Sequence, residues 1–418
     1  MKIIPTTLVF TFLFTGLNAG ATIEKSNNID LDHLFQMAKD VDPKVRKANS
    51  KMIEMSETGK LARSNYFPAL VVESTVFSNQ LTLSEKVWDG GLTPAASSLA
   101  FHQEQVAGSD KKSEIVRLHA VVTESYYDAL LSIQRAEILE KDAKLVNQAI
   151  EYAEKQLKFR AIGRNILLKA QVAKRKNNSA LFEAHSQRIR AARNLSRLTH
   201  KEDFPLDLLD ERLDPHAIAP VPELTSEELA KKTTEHSPDI QSLQHLELAE
   251  LARKNIALSE ERLHFTLVAA YGIGQTNPPK SIYPGFQTGF NIGAFITLPI
   301  FTGLSTVYKE HISNEKTVQI EQDLTNTRST RDFETKELVN QLKQDSNDLA
   351  LIDDEVKYSQ KIWEEINSEY QAGLSSPDLW FDAISNLETW RLQQLSKTRD
   401  YMIKYVELND FLNGVSEE

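Results

Sequence analysis

The sequence contains no cysteine, which excludes disulfides, thiolate metal sites, a cysteine nucleophile and a lipid carried on an N-terminal cysteine. Glycine and proline are scarce and uneven, 15 and 14 among 418 residues, so long stretches hold nothing to interrupt a regular element. Concentrated positive charge is missing too: the formal charge is -11, which disfavours a nucleic-acid partner because phosphate binding needs a basic face. The run Lys174-Arg175-Lys176 lies in a helical pattern that also carries acids and reads as a solvated face. There is no HExxH, no GxSxG and no phosphate-binding glycine loop, and the ten histidines are scattered without metal-ligand spacing. No enzyme activity, cofactor or metal is therefore expected. Beyond the N-terminus no window approaches twenty apolar residues, so a membrane-resident chain would have to cross as β-strands.

What is present begins with a secretory pattern over residues 1–21. Lys2 supplies the charge, Leu8 to Leu17 a short apolar core, and Ala19-Gly20-Ala21 a small-residue cleavage site. The remainder repeats itself. Asp42-Pro43-Lys44-Val45 is echoed by Ser237-Pro238-Asp239-Ile240, about 195 residues later. Each copy then turns into a strand-like stretch, Phe67 to Val72 and Leu263 to Val268. Each re-enters helix through a corner, Trp88-Asp89-Gly90-Gly91 and Pro299-Ile300-Phe301-Thr302-Gly303. Each finally meets a glycine-marked break, Ala161-Ile162-Gly163 and Tyr370-Gln371-Ala372-Gly373. The expected organisation is a first helix–hairpin–helix repeat over 22–204 with strands near 68–88, a proline-rich surface linker over 205–224, and a second repeat over 225–418 with strands near 264–300. Thr225-Ser226-Glu227-Glu228 reads as a capping box opening the second repeat.

Residues 109–162 and 304–372 contain neither glycine nor proline and are rich in helix formers. At about 1.5 Å per residue they would reach roughly 80 and 100 Å. Val116, Ala120, Val121, Tyr127, Leu130 and Leu131 recur at three- and four-residue spacing, implying packing against other helices. A soluble coiled coil has the same pattern.

The strands carry more. Phe286, Thr288, Phe290, Ile292, Ala294, Ile296 and Leu298 alternate with Gln287, Gly289, Asn291, Gly293 and Thr297, Phe295 being the exception. Phe265, Leu267, Ala269, Tyr271 and Ile273 alternate in the same way with mostly small or polar residues. About ten residues of period two suit a tilted strand crossing a bilayer. Asn277-Pro278-Pro279 and Pro284-Gly285 would form an external loop, whereas the first hairpin has either a tight turn around Ser78-Asn79-Gln80 or short strands. Trp88, Tyr283 and Phe301 could belong to an interfacial aromatic girdle or simply pack. A soluble hairpin packed on one face would alternate as well.

The order of these elements resembles the TolC family of outer-membrane efflux proteins over essentially the whole chain after the secretory segment. Its most specific parts are Leu298 to Gly303, the run Tyr370 to Gly373 followed by Asp382-Ala383, and Ser237-Pro238-Asp239-Ile240. The resemblance implies a mainly α protein with a membrane β-barrel. Long antiparallel helices would form a periplasmic α-barrel, and two β-hairpins per protomer would contribute to a trimeric twelve-stranded barrel. It further implies a passive conduit in the Gram-negative outer membrane, serving tripartite efflux or type I secretion with a periplasmic adaptor and an inner-membrane transporter. Gly90, Gly91, Pro299 and Gly303 would then be strand-to-helix corners, and Gly163, Tyr370 and Gly373 the periplasmic tip where the adaptor docks. Asp382 matches one of the family's two pore-tip aspartates; Leu379 holds the other position, with Asp378 beside it one helical turn from Asp382. Both aspartates read equally as solvated helix residues without that resemblance.

The closing latch departs from the pattern. The usual aspartate partner of Tyr370 falls at Lys169, the usual arginine falls at Ser375, and the first tip is shorter. A closed state held in another way, or more loosely, is expected. The rival reading is a soluble periplasmic coiled-coil adaptor or scaffold. An adaptor would carry a lipoyl-like domain or small barrel within its helices, and each half here has only one hairpin.

Overall fold

A computed structural model describes residues 29–74, 78–160, 162–209, 211–222, 225–274 and 289–415. The secretory segment, the strand residues Phe286 to Thr288, Tyr283 and the anticipated external loop lie outside the described residues.

The same series of elements occurs twice. Helices α1 (Leu31–Val41) and α2 (Pro43–Ser64) lead into strands β1 (Ala69–Ser74) and β2 (Ser78–Asp89), then α3 (Leu92–Lys158) and α4 (Arg164–Thr199). Helices α5 (Ser226–His236) and α6 (Pro238–Ser259) lead into β3 (His264–Gly274) and β4 (Gly289–Thr297), then α7 (Ser305–Gln371) and α8 (Pro377–Asn413). Counterparts match in length: 11 and 22 residues for the short helices of both halves, 67 for α3 and α7, 36 and 37 for α4 and α8.

Local chemistry sets the boundaries. Asp42 ends α1 and caps α2, its Oδ1 accepting from the backbone N–H groups of Lys44 at 2.8 Å and Val45 at 2.9 Å, with Pro43 in the first turn where a missing N–H does no harm. Thr225 and Glu228 form the anticipated capping box of α5. Helix α3 begins at Leu92 and passes through Gly108, so an isolated glycine does not break it. At about 1.5 Å per residue α3 and α7 each extend roughly 100 Å.

In the half nearer the strands α3 packs between α2 and α6, and α6 packs on α7; in the half nearer the helix breaks α3 lies between α4 and α8, and α8 packs on α7. Helix α1 buttresses α3 and α4, and α5 buttresses α7 and α8. The buried stripe of α3 runs through Ile115, Leu118, Val122, Tyr126 and Ala129, joined by Tyr127 and Leu130. Val116, Val121 and Leu131 are only half-buried and Ala120 is exposed, so the stripe lies one position away from the anticipated one. The cause is packing on several sides: α3 has an apolar arc too broad for spacing to locate its centre.

The linker is more than a surface connection. Leu206, Leu209 and Leu213, with Phe204 just before it, are buried in the core formed with α1, α3 and α4. Tyr126 donates a hydrogen bond to Glu211 at 2.7 Å and Tyr401 donates to the Ala219 carbonyl at 2.5 Å, binding the strap to both halves.

The strands form one antiparallel sheet in the order β1-β2-β3-β4. Ser78, Asn79 and Gln80 belong to β2, a strand of 12 residues, and Ser74 pairs with Asn79; the residues between lie outside the described ones.

Candidate functional site

The sheet presents two chemically distinct faces. Its register aligns Val72, Leu81, Tyr271 and Phe290 in one row, and Leu70, Leu83, Ala269 and Ile292 in the next row on that face. The opposite face aligns Val71, Thr82, Ala270 and Asn291, then Ala69, Ser84, Val268 and Gly293. The apolar face is the outer one: Phe290, Ile292 and Ile296 are 68%, 71% and 68% exposed, while Thr82, Val268 and Ala270 are buried. A soluble hairpin would bury its apolar rows and solvate the polar ones. Here the rows of larger apolar side chains are exposed, and it is smaller residues of the opposite face that are covered. Trp88 shares a row with Phe265 and Ile296 at the helix end of this face and is exposed, as is Phe301. Strands β1 and β4 are the two edges, each paired on one side only among the described residues.

The sheet meets the helices at two corners. Gly90 and Gly91 have φ of 69° and 92°, a region open to glycine. A Cβ on Gly90 would lie 2.8 Å from both the Cβ of Arg262 and the carbonyl oxygen of Ser259. Asp89 accepts from Gly91 N–H at 3.1 Å and Thr93 N–H at 2.8 Å and so caps α3 from three residues upstream. Arg262 crosses from the second half to donate to the Gly90 carbonyl at 3.1 Å. At the second corner Pro299 lies between β4 and α7, Gly303 has φ of 66°, and Leu304 follows at 63°. Thr302 donates to Glu261 at 2.8 Å, tying that corner to the end of α6.

The other end of the long helices forms two turns. Gly373 has φ of 76° and closes α7 in a Schellman arrangement, with Leu374 N–H bonded to the Glu369 carbonyl at 2.8 Å and Gly373 N–H to that of Tyr370 at 3.1 Å. Gly163 plays no such part: it begins α4 at φ of −79°, and the left-handed residue of that turn is Arg160. Tyr370 is buried among Val146, Ala149, Ile150, Ala170, Trp380 and Phe381. Its hydroxyl donates to the Ala149 carbonyl at 3.1 Å, its ring meets Tyr152 edge-on, and burial followed by Tyr152 pushes the phenol up to about 12. Trp380 donates from Nε1 to Asn367 at 2.8 Å.

The two anticipated aspartates differ in environment. Asp378, in the first turn of α8, lies 3.8 Å from the ammonium of Lys169 on α4. The Ser376 hydroxyl, backbone N–H groups at the helix start and Lys169 together outweigh burial and hold its carboxyl below the usual range. Asp382, one turn on, is exposed. Lys169 therefore lies beside Asp378 of α8, and Tyr370 turns to a backbone carbonyl. The sequence reading missed Asn367, Arg262 and the capping role of Asp89. Only the last had a signal, an aspartate three residues before the helix with a threonine inside its first turn. Among the described residues no group of three or more His, Asp or Glu side chains could hold a metal ion, and no helix is long and apolar enough to cross a membrane.

No protein-family model and no curated protein matches the sequence. Solved structures do. CusC, described for its transmembrane channel formation, superposes with a TM-score of 0.77 at 16% identity, covering 93% of each chain. The open-state MtrE outer-membrane channel of Neisseria gonorrhoeae gives 0.75 at 16% identity, covering 92% of this chain and 89% of that one. The CmeC outer-membrane channel of Campylobacter jejuni gives 0.73 at 14% identity, covering 99% and 95%. The chain has the TolC-like channel fold, mainly helical with a small antiparallel sheet.

Proposed function

We propose that this chain is one protomer of an outer-membrane channel, a passive conduit from the periplasm to the exterior. The observation that carries the reading is the outward-facing apolar side of a sheet with two open edges. In lipid an unpaired edge is untenable, because nothing there satisfies its N–H and C=O groups. Pairing β4 of one copy with β1 of the next closes a ring, and three copies of four strands make twelve, within the range of bacterial outer-membrane barrels.

The helices support the same ring. In the half nearer the breaks α4 and α7 are the outermost helices, and each exposes apolar residues on one face: Leu168, Val172, Phe182 and Ile189 on α4, and Phe333, Leu351, Tyr358 and Ile362 on α7. Two different flanks that need covering fit a head-to-tail homotrimer. The secretory pattern of residues 1–21 supports a location beyond the inner membrane of a Gram-negative cell, where an inner-membrane transporter would supply the energy for efflux or type I secretion. A periplasmic adaptor docks at the tip around Gly163, Tyr370 and Gly373. The soluble-scaffold alternative is disfavoured by the sheet, whose apolar rows would face water.

Recording single-channel conductance in a planar bilayer tests the conduit directly. Detergent-dependent extraction and heat-modifiable trimers are expected, whereas full solubility without detergent overturns the reading. At the tip, exposed Asp382 supplies a ring of carboxylates that favours cations, with Asp378 drawn off by Lys169. Asp382→Ala is expected to lower the cation preference measured from the reversal potential in a salt gradient; unchanged selectivity rejects the ring.

A further inference from the structure

A polar layer interrupts the packing of the helices above the tip. On the strand side Ala136 and Leu139 of α3 pack on Ala184 of α4 and Leu392 of α8. On the tip side Val146 and Ile150 of α3 pack with Ala170 of α4 and Ile384 of α8. Between these apolar layers stand Asp142 of α3, Asn177 of α4 and Glu388 of α8. Asp142 is 2% exposed and its Oδ2 has no hydrogen-bond partner. Asn177, 5% exposed, donates from Nδ2 to Glu388 at 3.4 Å while its own Oδ1 is unpartnered.

The charged groups around the layer are few. Glu388 and Arg391 of α8 and Lys141 of α3 act on Asp142; Lys176 of α4 and Arg135 of α3 act on Glu388. Helix α7 contributes the neutral Gln360, which accepts from Arg391 at 2.5 Å and engages its guanidinium. Among the described residues neither carboxylate forms an ion pair. Two acids therefore share one layer with no ion pair to either, only the Asn177 contact to Glu388, an arrangement that favours holding one proton between them. Protonated Asp142 also supplies an O–H donor to a layer in which the Asn177 Oδ1 acceptor has none.

We propose that Asp142, Asn177 and Glu388 form a proton-operated clasp across α3, α4 and α8, which tightens the tip-side helices when it takes one proton from solvent and loosens them when it gives that proton up. Burial, reinforced by Glu388 and partly opposed by Arg391 and Lys141, pushes the Asp142 carboxyl up to about 6 from 3.8. Burial raises Glu388 as well, against Asn177, Lys176 and Arg135. A raised acid binds its proton more tightly folded than unfolded. The clasp's contribution is thus complete below the unfolded value of 3.8 and lost as pH rises through about 6. In consequence, and resting on the channel reading, the tip opens more readily at neutral than at mildly acidic pH.

Hydrogen exchange on the full-length protein in detergent, read by mass spectrometry and corrected for intrinsic rates, tests the clasp without requiring conduction. Peptides covering 136–150, 170–184 and 384–392 should be about tenfold better protected at pH 5 than at pH 7.5 in the wild type, the limit for one proton titrating near pH 6. Asp142→Asn should hold the protected level at both pH values. Asn177→Asp, adding a third carboxyl, should move the transition to higher pH. Glu388→Gln should move it lower, and this variant decides the matter if Asp142→Asn does not fold. A wild type indifferent to pH, or an Asp142→Asn or Glu388→Gln protein with the wild-type transition, overturns the proposal. Exchange that follows the expected pattern in a protein that never conducts overturns the channel reading and leaves the clasp standing.

Discussion

Glycine has two different meanings in this chain, and substitution separates them. Gly90 combines a left-handed φ of 69° with backbone and side-chain atoms 2.8 Å from where a Cβ would stand. Gly90→Ala is expected to destabilise the protein by about 1–3 kcal/mol, seen as a lower unfolding temperature. Gly163 has an ordinary φ of −79°, and a Cβ there meets only the flexible end of Asn165. Gly163→Ala should stay within about 0.5 kcal/mol of wild type in the same measurement. The residue pattern marked Gly90 as a corner and Gly163 as a break, but only backbone angles distinguish a required glycine from an incidental one. Tyr370 shows a similar division: its place at the tip was legible, its partner was not. Tyr370→Phe keeps the ring contacts and loses the bond to the Ala149 carbonyl, which should lower stability by about 0.5–1.5 kcal/mol.

Strands and helices differed in what their patterns disclosed. Alternation along β4 placed Phe290, Ile292 and Ile296 on one face, and the register put that face in line with Val72, Leu81 and Tyr271. Period two cannot say which face is buried, and exposure does. Ile292→Lys, on the outer face, should oppose barrel assembly by about 2–4 kcal/mol if the site lies near the bilayer midplane. Its neighbour Asn291 points the other way, and Asn291→Lys should leave assembly intact and shift ion selectivity. Counting trimers on unheated gels for the pair checks both outcomes; equal effects would reject the assigned faces. On α3 the spacing disclosed a helix but misplaced the centre of its apolar stripe by one residue. Small residues such as Ala120 and Ala129 fit either a tight interface or solvent, and their burial depends on neighbours distant in sequence.

At the scale of the whole molecule, the exposed flanks of α4 and α7 complement the open edges β1 and β4. Phe182 is exposed on α4 with no role within the chain's own core. Phe182→Glu should therefore weaken the proposed trimer while leaving the far-ultraviolet circular dichroism of the chain unchanged, with a monomer band on unheated gels as the readout. The Lys169–Asp378 contact belongs to the same scale because it joins the two tips. Asp378 titrates below the usual range, so the contact is present at neutral pH and lost as strong acid protonates the carboxylate. The Asp142 clasp runs the opposite way, gaining as pH falls towards 4.

Sequence by itself determined the doubled order of elements, the long uninterrupted helices, the corners at Gly90 and Gly303 and the alternation of the strands. Each of these depends on local backbone preference or on a period read along the chain. Tertiary structure alone decided that the apolar strand faces point outward, that the linker strap is buried, that Lys169 rather than Tyr370 meets an aspartate, and that Asp142 and Glu388 share one layer between apolar ones. These depend on which residues hundreds of positions apart become neighbours, and burial, charge pairing and proton affinity are properties of that neighbourhood rather than of the residues themselves.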